Sequence, residues 1–166
     1  MTTIRVAQAL GVSQPAFYSH FRSIDALREA IAVYGSRELS LRVRAAVEGL
    51  PVDGNRDDAL MTMAHAYRDY VRQFPNRYLL QLSALRTEEY QTITAQAADA
   101  VRDVLRRYEL NETQVRRAHA AFRAGVHGFT HLEANAATPT AGRAADADFD
   151  FFVALFAAGL ARPPAS

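Results

Sequence analysis

Ile4-Arg5-Val6-Ala7-Gln8-Ala9-Leu10-Gly11-Val12-Ser13-Gln14-Pro15-Ala16-Phe17-Tyr18-Ser19-His20-Phe21 is the stretch whose reading decides the fold. Residues 4–10 carry apolar side chains at helical spacing, residues 11–13 interrupt that pattern, and residues 14–21 restart it. Gly11 can take the left-handed backbone that a tight turn needs. Ser13 can cap the second helix, and Pro15 falls in its first turn, where no amide donor is missed. Val12 is expected to plug the angle between the two helices, with Ala9 and Phe17 packed between them. That leaves Gln14, Ala16, Tyr18, Ser19 and His20 facing outward. Two short helices joined by a glycine turn outline a helix-turn-helix, whose second helix enters the DNA major groove. The outward set has suitable chemistry: Gln14 can pair with adenine, Ala16 can touch a thymine methyl, and Ser19 can reach a base edge. Thr3, Tyr18 and His20 can reach phosphates, with Pro15 on the same surface. A plain helical hairpin has the same spacing, so the local pattern leaves both readings open.

Composition narrows the rest. The chain has 166 residues, 49% hydrophobic and 22% charged, which suits one or two soluble, globular domains. It contains no cysteine, which removes disulfides, zinc fingers and thiol catalysis. All 19 basic residues are arginine and the net charge is only +1, too small to argue for nucleic acid by itself. Residues 1–22 nevertheless hold Arg5 and Arg22 and no acid. No apolar run approaches the roughly 18 residues needed to span a bilayer, and no signal-peptide pattern opens the chain, so no membrane partner and a cytoplasmic location are expected.

Beyond the first stretch, apolar residues recur at three- and four-residue spacing throughout, which predicts an all-α chain. Ser23 is the expected cap of a long helix through Leu27, Ile31, Tyr34 and Leu41 to about Val47, followed by a loop over residues 49–55. Asp57 and Asp58 open a helix that buries Leu60, Met63, Ala64, Tyr67, Val71 and Phe74 and stops at Pro75. A short helix through Tyr78, Leu79, Leu82 and Leu85 follows. Thr87 starts the next, with Ile93, Ala97, Ala100, Val101, Val104 and Tyr108 on one face. Asn111 or Thr113 caps a long helix to about Ala136. Residues 137–143 form a small-residue loop, and the last helix carries Phe149, Phe152, Val153, Phe156 and Leu160 inward before Pro163-Pro164 ends it.

His127 and His131 stand one helical turn apart with Glu133 near, a spacing that metal ligands use. Nothing completes a metal set, so hydrogen bonding within the bundle or a pocket lining is the expected role, with no metal and no cofactor. Nor is there a nucleophile–base pair or phosphate loop, which argues against an enzyme. Ala118, Ala121, Gly125 and Gly128 make a small-residue stripe that would admit close approach by a second copy or a ligand. The last helix is apolar on more than one face, which favours an interface.

Residues 3–27, TIRVAQALGVSQPAFYSHFRSIDAL, resemble the DNA-binding signature of the TetR/AcrR family of bacterial regulators. Val6, Ala7, Gly11, Val12, Ser13, Phe17, Tyr18, His20, Phe21, Ser23 and Leu27 match it, together with Thr2 or Thr3. Phe122-Arg123-Ala124-Gly125-Val126-His127-Gly128-Phe129-Thr130-His131-Leu132-Glu133 is similar to the WHG type of TetR-family C-terminal domain, with Val126 where tryptophan is frequent. The resemblance implies a helix-turn-helix domain over residues 1–34 and a helical effector-binding and dimerisation domain over residues 35–166. It implies a DNA-binding transcriptional regulator, a repressor, that meets a double-stranded operator, a small and mostly apolar effector, and a second copy of itself. Effector walls are expected from Met63, Tyr67, Tyr70, Phe74, Leu82, Tyr90, Phe122 and His127. Dimer contacts are expected from Ala118, Ala121, Gly125, Gly128, Phe149, Phe152 and Phe156. There are two departures. Ile24 stands where the family has Lys or Arg, and only residues 1–3 precede the pair where the family has a first helix. Val6, Leu10, Phe17 and Phe21 are therefore expected to lack cover. The alternative is a ligand-binding helical dimer with weak or no DNA binding.

Overall fold

The computed structural model describes residues 2–51, 54–82, 87–135 and 143–162, with the side chains of Leu82, Arg143 and Ala144 excepted. Among the described residues eight helices follow in order: α1 (Thr3–Ala9), α2 (Gln14–His20), α3 (Ile24–Glu48), α4 (Arg56–Gln73), α5 (Pro75–Leu82), α6 (Glu88–Arg106), α7 (Glu112–Ala134) and α8 (Arg143–Leu160). The expected positions of Leu85, of the loop over residues 137–142 and of Pro163-Pro164 lie outside the described residues.

Side-chain caps set most of the helix starts. Thr2, Ser13, Ser23, Asn55, Thr87 and Asn111 each accept a hydrogen bond from a backbone N–H in the first turn that follows. Asn111 does so within a full capping box with Gln114. Pro75 does not simply end α4. It opens α5, where its missing N–H leaves nothing unsatisfied.

Gly11 sits at φ 67°, the left-handed turn expected of it. The turn differs from expectation in what it packs. Val12 N–H donates to Ala7 O at 3.0 Å, a closure that turns the Val12 side chain outward, leaving it 43% exposed. Ala9 is exposed as well, and the α1 residue buried in its place is Ala7, 2% exposed. Phe17 is itself buried, with its ring 5.8 Å from Phe21 and 5.5 Å from Tyr18. Val6 and Phe21 are half-buried, so of the four residues expected to lack cover only Leu10 is largely exposed.

α3 links this pair to the body. Its buried side is built of small residues, Ala32, Gly35, Ser36 and Ser40, which let α4, α5 and α6 approach closely. A Cβ at Gly35 would lie 2.5 Å from Gln81 Nε2 and 2.9 Å from the Arg77 side chain, so α5 lays its side chains directly over Gly35 and they would have to shift for a larger residue. Tyr70 Oη donates to Gly35 O at 3.0 Å, fixing α4 to the same spot. One core runs from Leu39 and Val43 through Leu60, Met63, Leu105 and Phe122 to Phe149 and Val153. α7 packs on α4, α5, α6 and α8, and α8 packs on α4 and α7.

Candidate DNA-reading face, polar cluster and paired-helix surface

On α2, Gln14, Pro15, Ala16, Tyr18, Ser19 and His20 are all exposed, and the described part of residues 1–22 contains no acid. Tyr18 Oη lies 3.2 Å from Thr3 Oγ1, which brings two of the expected phosphate contacts together across the turn. Ser19 Oγ donates to Ala16 O at 2.7 Å, so it meets a ligand mainly as an acceptor.

The eight expected effector walls separate into groups. Met63, Tyr70 and Phe122 are enclosed in the core, with no surface left for a ligand. Phe74 is half-buried beneath the Arg77 and Arg42 guanidinium groups, 4.2 and 5.2 Å from its ring centre, and belongs with Tyr70 to the contact with α3. The Leu82 side chain lies outside the described residues. Tyr67, Tyr90 and His127 are partly exposed, and Tyr67 and His127 meet. Tyr67 Oη is 3.0 Å from His127 Nδ1 and 3.3 Å from Nε2, and Tyr78 Oη is 3.1 Å from Nδ1. Thr130 Oγ1 closes the group 3.4 Å from Tyr78 Oη while donating to Val126 O at 2.8 Å. Burial, aided by the nearby Arg123 charge, pulls the His127 pKa down to about 4. Burial likewise raises the Tyr67 and Tyr78 hydroxyls, so the cluster is neutral at physiological pH. His131 points elsewhere, toward the Asn135 amide, and Glu133 is held by arginine. No metal-ligating group exists among the described residues.

Arg68 had no place in the sequence-based expectations, although it continues the inward stripe of Leu60 and Ala64 on α4. It is 1% exposed, holds Glu133 of α7 through two hydrogen bonds of 2.9 and 2.6 Å, and donates to Ala145 O of α8 at 2.7 Å. Asp146 of α8 lies 3.1 Å from Arg68 and 2.8 Å from Arg72. The hydrogen bond from Arg72 is the main reason the Asp146 carboxyl stays below its usual range. The Arg68 guanidinium also stacks 4.5 Å from the Phe149 ring centre. This network fastens α7 and α8 to α4.

The outer surface of α7 and α8 corrects part of the expected interface. Phe149 is fully buried within the chain and cannot reach a second copy from there, whereas Ala118, though nearly buried, still lines the groove between the two helices. Gly125 is occupied already: a Cβ there would lie 2.4 Å from Phe152 Cζ. Ala121 and Gly128 are exposed, with open space beside Gly128. The large outward residues are Leu132, Phe151 and Leu155, which are 51%, 69% and 63% exposed. Between the helices runs an apolar groove of about 460 Å³ lined by Leu110, Ala118, Ala121, Phe152, Leu155 and Phe156, among others. A second cleft of about 600 Å³, edged by Arg37, Arg44, Glu88 and Glu89, lies along the packed pair of α3 and α6, with Arg37 and Glu89 joined by an ion pair of 2.8 Å.

A short helix pair with a polar exposed second helix, joined through one long helix to an all-helical body, defines a helix-turn-helix regulator. Residues 1–31 match the model of the bacterial regulatory proteins of the tetR family, and residues 60–156 match that of the tetracyclin repressor-like C-terminal domain. The chain belongs to the TetR family of transcriptional regulators, which are not enzymes. It is 31% identical over 169 residues to an uncharacterized HTH-type transcriptional regulator of Mycobacterium tuberculosis, spanning 98% of this chain and 73% of that protein. Its fold is that of the TetR family transcriptional regulator PfmR from Thermus thermophilus, with a TM-score of 0.71 at 20% identity, over 94% of this chain and 87% of the other. It is also that of a TetR variant from Acinetobacter baumannii solved in complex with minocycline, with a TM-score of 0.70 at 23% identity, over 99% of this chain and 87% of the other. No helix among the described residues is long and apolar enough to cross a membrane.

Proposed function

We propose that this chain acts in the cytoplasm as a homodimeric repressor, reading a two-fold operator with α2 and releasing it when a small effector binds. The DNA-binding domain is residues 1–34 and the effector and dimer domain residues 35–166. Gln14, Ala16 and Ser19 face base edges, while Thr3, Tyr18 and His20, with Pro15 beside them, follow the phosphate backbone. What carries this reading is the acid-free surface of α1 and α2, on which every expected contact residue except the half-buried Thr3 is exposed. Two copies pair through Ala121, Gly128, Leu132, Phe151 and Leu155, with Phe152 and Phe156 flooring the groove between them.

The effector site is the polar cluster at Tyr67 and His127, with Tyr90 at its edge. α5 is the route outward: Tyr78 touches His127, and one turn on Gln81 lies against Gly35 of α3. An effector that favours one placement of α5 therefore favours one angle of α3, and operator-competent and released dimers exchange population accordingly. A second reading, a ligand-binding dimer with weak DNA affinity, is favoured by the exposure of Ile4 and Leu10, 51% and 65%. Anisotropy titration of operator duplexes against Tyr18→Ala and Gln14→Ala separates the two. Repression through α2 requires Tyr18→Ala to weaken all duplexes and Gln14→Ala to relax one base pair by about 1–3 kcal/mol. Affinity that is weak and insensitive to both substitutions supports the second reading.

A further inference from the structure

The cleft along α3 and α6 is walled by two helix faces that run in the same direction. Arg37 pairs with Glu89 at 2.8 Å near one end. At the other, Arg107 just past α6 donates to Pro51 O just past α3 at 3.2 Å, so the helices lie parallel. Arg37, Ser40 and Arg44 share one face of α3, and Glu88, Glu89 and Ile93 share one face of α6. A volume of about 600 Å³ is in the range of small-molecule sites.

The floor of the cleft holds an unused polar group. Ser40 is 7% exposed and Ile93 is 6% exposed, and both line the cleft. Ser40 Oγ has no hydrogen-bond partner among the described residues, although a buried hydroxyl ordinarily has one. Thr92 Oγ1, by contrast, is spent on Glu88 O at 3.0 Å. The rim holds unused charge as well. Arg37 and Glu89 neutralise each other, which leaves the Glu88 carboxylate at the same end with no cation in ion-pair distance among the described residues. Arg44, two turns along α3 from Arg37, has only Glu48 of its own helix, at 3.5 Å, with both side chains well exposed. A pair that exposed holds weakly and gives way to a better partner. The cleft thus offers a spare carboxylate at one end and an available guanidinium at the other. The rise from Arg37 to Arg44 puts them about 10 Å apart along the helices, with Ser40, Leu41 and Ile93 between. A dianion would meet Glu88 and Glu89 here, and a dication would meet Arg37 and Arg44. A molecule with one charge of each sign at its two ends meets neither obstacle, and three extended residues of polypeptide span about 10 Å.

We propose that this cleft is a second small-molecule site, separate from the cluster at Tyr67 and His127, which takes a short extended zwitterion of tripeptide length. Its ammonium lies at Glu88, its carboxylate at Arg44, and a carbonyl between them accepts from Ser40 Oγ. Bound so, it bridges α6 to α3, the helix that carries the DNA reader. NMR titration of the whole chain tests this with trialanine, its N-acetyl form, its C-terminal amide and the doubly blocked peptide, read at the Ile93 methyls and the Ser40 amide. Trialanine should bind about tenfold more tightly than either singly blocked form, with the doubly blocked peptide weakest and the His127 ring resonances unmoved. Arg44→Gln and Glu88→Gln, both at exposed positions, should each weaken trialanine about tenfold and leave the doubly blocked peptide unchanged. Ser40→Ala should weaken all of these peptides severalfold. Equal affinity for the blocked and unblocked peptides, or trialanine binding undiminished in both charge variants, would overturn the zwitterion. No movement at Ser40 and Ile93 with millimolar trialanine, or movement at His127 in their place, would remove the site.

Discussion

His127 is a buried base kept neutral, and that has a definite consequence for stability. Around it stand Tyr67 from α4, Tyr78 from α5 and Arg123 and His131 from its own helix, with no carboxylate among the charges that act on it. Its pKa is about 4 in the folded chain, against about 6.5 when unfolded. On acidification the unfolded chain takes the proton first, so stability is full above about pH 6.5 and falls until about pH 4. The loss is on the order of 2–3 kcal/mol, read as the difference in urea unfolding between pH 7.5 and pH 4.5. His127→Gln should flatten that dependence, and an unchanged slope would contradict it. Arg68 shows the opposite case, a charge kept buried by its partners. Arg68→Ala takes two hydrogen bonds from Glu133, leaving it only the more exposed Arg72, and should cost about 3 kcal/mol in the same assay. The caps at Ser13, Ser23 and Thr87 were legible in the sequence because a cap and its amide lie within one turn. Arg68 was not, because its partner is 65 residues away and only the packing of α4 against α7 joins them.

Three glycines distinguish what the helices do. At Gly35 and Gly125 a Cβ would collide with the side chains of α5 and α8, whereas beside Gly128 there is open space. Gly35→Ala and Gly125→Ala should each destabilise by about 1–3 kcal/mol, since Phe152 is already held against Phe129 and Phe149. Gly128→Ala should leave the isolated chain unharmed or stabilise it by up to about 1 kcal/mol through helix propensity. Thermal unfolding of the three variants at low concentration checks the order. The small-residue stripe was visible in the sequence, yet spacing alone could not separate residues that seat a neighbouring helix from those facing solvent. The same ambiguity of phase misplaced Ala9 and Val12. A seven-residue helix such as α1 has too few turns for its periodicity to fix the inward face. Longer helices fared better: the inward sets expected for α4 and α8 coincide largely with the core, except that Tyr67, Phe74, Phe152 and Phe156 lie at its edge.

The molecule as a whole is a reader and a sensor joined by α3, and its proposed work depends on two copies. Leu155→Arg places a charge on the outward apolar face and should convert a two-fold assembly to a single chain in sedimentation at micromolar concentration, without loss of helix. A variant that still sediments as a pair would move the interface elsewhere. The arrangement of DNA reader, linking helix and helical body was legible because the first 27 residues carry a dense local signature. The polar cluster was legible only in part, since Tyr67 and His127 are 60 residues apart and nothing in the spacing pairs them. The central claim is that α2 reads DNA as one half of a two-fold pair, and selection of this chain against a random duplex library tests it most directly. The account predicts enrichment of an inverted repeat whose half-sites are about one helical turn apart or a multiple of it, with one position in each half relaxed by Gln14→Ala and enrichment lost in Tyr18→Ala. Enrichment of no symmetric sequence, or of the same sequence by the chain and both variants, would contradict it.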